Sequence, residues 1–251
     1  MQLVTWYVFI AAHAIVVACL VALVRQRRWR DYPIFLAYLV CEVITFLVAY
    51  TLAHLIWRSL ASEATYRWAA VYASVISTAV ELAVLYELAD KLILSRSSLG
   101  RTLRPLLRWS CAVLLLIASA ISAFVTQPGL DRVLNVFEVL NFASHVVVFG
   151  ILFVLLVFSH ALQVPWRSLS AGIALGVGIY CGVEVGASAL FSAFGQKSLI
   201  PADFIRESGL LLGATVWLVY ILLPDRIASR GNRLGKSEIE FWEHELGRMV
   251  Q

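Results

Sequence analysis

The chain has 251 residues, 61% of them hydrophobic and 14% charged, and its mean hydropathy is +0.84. A soluble domain is nearer half apolar and a quarter charged, so this composition excludes an ordinary water-soluble globule and indicates a polytopic membrane protein. The net charge of +4 does not point to nucleic acid, because the charges sit between apolar runs and sort by side.

A helix needs roughly 20 apolar residues to cross a bilayer core. Seven stretches meet that test: 3–24, 32–56, 66–90, 106–127, 132–163, 168–194 and 204–223. Pro33, Pro105, Pro128, Pro165, Pro201 and Pro224 fall at or just beyond their ends, where a missing N–H does least harm. The expected fold class is all-α: a polytopic integral membrane protein with seven transmembrane helices over 1–224 and a cytoplasmic tail over 225–251.

In the first stretch the small-x-small triplet Ala12-His13-Ala14 lies inside an apolar run that continues to Val24, with no positive residue before it. It is therefore expected to be a retained helix rather than a cleaved signal peptide. Arg25, Arg27, Arg28 and Arg30 follow it, which places the N-terminus outside. With that orientation fifteen Lys and Arg fall on the cytoplasmic side and five on the outer side, a strong positive-inside bias. The C-terminus is expected inside and the protein in the plasma membrane.

The second and third stretches carry Glu42, flanked by Tyr38 and Thr45, and Glu81, which shares a helical face with Ser74, Ser77 and Thr78. Glu87 and Lys91 end the third at the spacing of a helix ion pair, read as a solvated cap. The fourth has no ionisable residue between Trp109 and Gln127 and is expected to face lipid. In the fifth, Asn135, Glu138, Asn141 and His145 are spaced three, three and four apart, on one narrow arc. Polar groups are costly in hydrocarbon, so that arc should face a protein interior or a wet cavity.

The sixth stretch shows a small-residue ridge, Ala174, Gly178, Gly182 and Gly186, with Tyr180, Glu184 and Ser188 roughly opposite. Such ridges let another backbone approach closely. This one is expected to meet Gly209 and Gly213 of the seventh stretch, the alternative being a homo-oligomer contact through Gly178, Gly182 and Gly186. Beyond Pro224, Ser237 and Glu240 form a capping-box pattern and Ile239, Trp242, Leu246 and Met249 line one face. That amphipathic helix, acidic through Glu238, Glu243 and Glu245, is expected to dock on the arginine-rich inner loops or to contact a cytoplasmic partner.

Depth along each helix sorts the ionisable groups into two layers. Glu138, Glu184 and Glu207, with Arg206 beside the last, fall in the outer third and with Asn141 and His145 form a candidate pocket for a cation, an amine or another small polar ligand. Carboxylates gathered in a low-dielectric site need a cation beside them, and Arg206 can supply it. His13, Glu42, Glu81 and His145 fall near the middle, and two histidines with two carboxylates are candidate metal ligands. Two histidines at similar depth could also hold haem. Cys19, Cys41, Cys111 and Cys181 all lie in apolar runs and read as small buried hydrophobes.

Seven spans match microbial rhodopsins and G-protein-coupled receptors in helix count alone. The seventh stretch has no lysine to carry a retinal Schiff base, and the proline kinks of the receptors are missing. No Gly-rich phosphate loop or nucleophile elbow is present. The function expected is receptor-like sensing of a small ligand or cation, coupled to a cytoplasmic partner. The alternatives are a proton- or cation-coupled transporter, a structural subunit of a membrane complex, or an intramembrane metal- or haem-binding enzyme.

Overall fold

A computed structural model describes residues 2–57, 63–91, 109, 142–153, 166–194 and 199–223. Among them helix is the regular secondary structure, joined by short turns, with no strand. The helices are α1 (Gln2–Arg25), α2 (Pro33–Trp57), α3 (Glu63–Ala89), α4 (Phe142–Phe153), α5 (Leu169–Phe194) and α6 (Leu199–Leu222), with a short 3-10 turn at Arg28–Arg30. Four of them, α1, α2, α5 and α6, are long and apolar enough to cross a membrane. The expected stretch 106–127, apart from Trp109, and the tail helix over 237–251 lie outside the described residues, as do Glu138 and Asn141.

Local sequence accounts for the boundaries. α2 opens on Pro33, whose fixed φ suits the first helical turn and whose missing N–H would have had no intrahelical partner. Ser168 caps α5, its Oγ accepting the N–H of Ala171 at 3.3 Å. α6 starts five residues before the expected 204, because Pro201 sits inside its first turn rather than ahead of it. α1 ends where Arg27 turns left-handed at φ 58°, the usual conformation just past a helix C-terminus.

The helices form a circuit. α1 packs on α2 and α6, α2 on α3, and α5 on α6, while α4 bridges α3 and α5. Its centre holds Phe35, Tyr38 and Trp217, whose rings meet edge-on at 5.5 and 5.8 Å across α2 and α6. Trp217 donates its indole N–H to the Ile173 carbonyl at 3.2 Å, tying α6 to α5. The outer surface is apolar: Val17, Val21, Ile44, Leu47, Ile76, Leu212 and Val219 are exposed, while Glu42, Glu81, His13 and His145 are buried. A protein that turns its acids inward and its aliphatic chains outward is built for contact with lipid.

Small residues let α5 approach two neighbours. Gly172 and Gly176 face α6, where Tyr220 and Trp217 occupy the space a Cβ would need and the Gly213 carbonyl lies 2.8 Å from a Cβ built on Gly176. On the other side Gly178 and Gly182 face this chain's own Leu152 and Phe149 on α4, and Gly186 has open space among the described residues. Thus Gly209 and Gly213 meet Val183, Gly176 and Tyr180 rather than the Gly178 ridge. A residue two positions along a helix lies about 200° round its axis, so the two glycine sets point nearly opposite ways.

Candidate functional site: a buried glutamate, histidine and cysteine cluster

Four helices, α2, α3, α4 and α5, bring polar side chains together inside the bundle. On α2, Glu42 accepts a hydrogen bond from the Ser77 hydroxyl of α3 at 2.8 Å. One turn further along α3, Glu81 faces α4, with His145 Nε2 3.5 Å from Glu81 Oε2. The third member comes from α5: Cys181 Sγ and the nearest ligand atoms of Glu81 and His145 all lie within 4.8 Å of one another. Tyr180 stands edge-on to the His145 ring at 5.7 Å.

Burial makes this cluster unusual. Glu81 is 2% exposed and Cys181 0%, and among the described residues neither carboxylate oxygen of Glu81 receives a hydrogen bond. At 3.5 Å the His145 nitrogen is too far to satisfy it. The Tyr38 hydroxyl is also buried without a hydrogen-bond partner among the described residues, within electrostatic reach of Glu42, Glu81 and Cys181.

A second polar group lies toward the end where α6 begins. Arg206 Nε is 3.2 Å from Glu184 Oε2 of α5, and its Nη2 donates to Ser188 Oγ at 3.1 Å. Asp203 is 3.9 Å away, one turn back on α6. Here the cation expected beside the outer carboxylates is in place, and it is directed at Glu184. Glu207 has one buried oxygen without a hydrogen bond.

The expected residues therefore divide. Glu81 and His145 come together, and Glu42 lies in electrostatic reach of Glu81. Arg206 and Glu184 form an ion pair, with Glu207 within reach of both. His13 is held elsewhere: its ring lies over Phe46 at 4.5 Å and its Nδ1 is 2.8 Å from the Phe9 carbonyl. Cys181 is buried as a small hydrophobe should be, and it also stands in the cluster; its three-residue offset from Glu184 was the signal that put it on the polar face.

Comparison of the chain with protein-family models, curated proteins and solved structures finds no match. The site therefore has to be interpreted from its own chemistry. A mixed carboxylate, imidazole and thiol set can accept a cation or hydrogen-bond a polar ligand.

At the opposite end of the bundle Glu87 is built into the fold rather than solvated. Its carboxylate accepts the N–H of Phe35 at 3.0 Å, with the N–H of Ile34 at 3.5 Å, so α3 caps α2. Lys91 lies 4.0 Å from Glu87 and 3.6 Å over the Tyr32 ring, and the Tyr32 hydroxyl meets Ser170 at 2.6 Å. Partial burial holds the Lys91 ammonium below the ordinary lysine pKa, against the opposing pull of Glu87, Asp31 and Asp90.

Proposed function

We propose that the chain is a seven-span protein of the plasma membrane, N-terminus outside and C-terminus cytoplasmic, acting as a receptor-like sensor of a small cation or polar ligand bound around Glu81 and His145. The count of seven rests on the apolar runs 106–127 and 132–163 together with the described helices, and the orientation on the fifteen-to-five distribution of basic residues.

The observation that carries the ligand site is the Glu81 carboxylate, buried inside the bundle with no donor on either oxygen among the described residues. A buried carboxylate without hydrogen bonds is destabilising, and a bound cation or donor would remove that deficit. Six residues of α3, about 9 Å of helix, separate Glu81 from Glu87. A shift of α3 that accommodates a ligand at Glu81 would pull on the cap of α2 and on the Lys91 contact with Tyr32. The tail helix over 237–251 is the proposed contact for a cytoplasmic partner.

A second reading, a small proton- or cation-coupled carrier, is favoured by the series of acids from Glu42 and Glu81 to Glu184 and Glu207, each within electrostatic reach of the next. The test is thermal unfolding of the full chain in lipid nanodiscs against alkali cations, divalent cations and simple amines. A solute at about 100 times its Kd should stabilise wild type by about 2.7 kcal/mol. The same solute should leave Glu81→Gln unmoved and change amide exchange at Phe35 in wild type. If no solute acts through Glu81, the cluster binds no solute of those classes and this reading falls; solute uptake into liposomes that is lost in Glu184→Gln would identify the carrier.

A further inference from the structure

From the three side chains that α3, α4 and α5 bring together, we infer a transition-metal site of the zinc class, ligated by Glu81, His145 and Cys181. The inference deepens the ligand-site proposal above and rests on it. Three different donor types converge from three separate helices, with mutual ligand-atom separations within 4.8 Å. Tetrahedral zinc, with Zn–S near 2.3 Å and Zn–N and Zn–O near 2.0–2.1 Å, holds its ligands roughly 3.3–3.7 Å apart. The Glu81 to His145 separation of 3.5 Å already falls in that range. Closing the remaining gap to Cys181 requires about 1 Å of side-chain movement.

The second observation is Glu81 itself. Its two oxygens are buried and have no hydrogen bond among the described residues, so both are available to a cation. Charge favours the same ion. A divalent cation with one carboxylate, one thiolate and one neutral imidazole sums to zero, which suits a low-dielectric site. The thiol proton of Cys181 leaves to solvent as the S–metal bond forms. Sulfur and imidazole select zinc, cobalt or copper over magnesium and calcium, which take oxygen ligands.

Three protein ligands leave a fourth position open, as in zinc sites that admit water or a small molecule. That position is where a sensed solute would complete the shell. His13 takes no part: its ring stacks on Phe46, with the tilted Phe9 ring 4.6 Å away, and its Nδ1 is engaged by the Phe9 carbonyl.

The experiment is cobalt titration of the full chain in nanodiscs, followed by zinc displacement. The expected result is one Co2+ per chain with intense tetrahedral d–d bands and a near-ultraviolet sulfur-to-cobalt band, all abolished by excess Zn2+. Cys181→Ser should lose the sulfur band. It should also weaken metal binding by more than the roughly 10- to 100-fold that loss of an outer-shell partner produces. His145→Gln should weaken binding similarly, while His13→Gln should leave it unchanged. Folded wild type that takes up no cobalt, or a sulfur band that persists in Cys181→Ser, overturns the site. If an amine or alkali cation still acts through Glu81 in that case, the ligand pocket stands without the metal; if nothing acts through Glu81, both proposals fall together.

Discussion

Glu87 and Phe35 are joined by a hydrogen bond of 3.0 Å in which a carboxylate on α3 accepts the backbone N–H of α2. An N-terminal cap normally comes from the residue before the helix, but here that residue is Tyr32, engaged instead with Ser170 and Lys91. The cap therefore couples two helices that a local one would leave independent.

Glu87→Ala should lower stability by about 2 kcal/mol, the sum expected for a lost cap and a lost charge-assisted bond in a buried place. Hydrogen exchange should speed up at Phe35 more than at mid-helix amides of α2. Unchanged protection at Phe35 would show that water or another group caps α2.

Gly176→Ala and Gly186→Ala separate packing from propensity. A Cβ at Gly176 runs into Trp217 and the Gly213 carbonyl, whereas at Gly186 it meets nothing within 4 Å. Gly176→Ala should destabilise by about 1–3 kcal/mol through overpacking, and Gly186→Ala should be neutral or stabilising by up to about 1 kcal/mol. Detergent-resistance curves of the two variants make the comparison. A loss of stability confined to Gly186→Ala would mean that this face is covered by another chain or by a part of this chain outside the described residues.

Arg206→Gln leaves Glu184, 12% exposed, without the guanidinium 3.2 Å away. Arg206 is itself 29% exposed, so the loss should be about 1–3 kcal/mol, below the 3–5 kcal/mol of a fully buried broken pair. Glu184→Gln combined with Arg206→Gln should recover most of it. A double-mutant cycle of unfolding free energies gives the coupling, and strict additivity would refute the pairing.

Lys91 offers a pH test outside the spans. Its folded-state pKa lies below the ordinary value of 10.5 because of burial, so the unfolded chain binds more protons between the two values. Stability must then rise with pH across that window. Wild type should gain on Lys91→Gln as pH climbs toward 10.5 in paired melting curves. A constant difference would mean the ammonium is as well solvated folded as unfolded.

The apolar runs alone located α1, α2 and α5 to within one residue at each end, and α3 to within three. Hydrocarbon length and the cost of an unpaired backbone leave a chain of this composition few alternatives. The inward aim of Glu42, Glu81 and His145 was legible for the same reason, because each shares its helical face with other polar residues or would be too costly against lipid. What a sequence states is the angle and depth of a residue on its own helix. Which neighbour that angle meets depends on how the helices pack, and only the tertiary structure decided it. It set Gly176 rather than Gly178 against α6, gave His13 to Phe46, and brought Cys181 to Glu81 and His145. Those outcomes depend on rotations and axial shifts of whole helices, fixed by many contacts at once, which no single stretch of residues encodes.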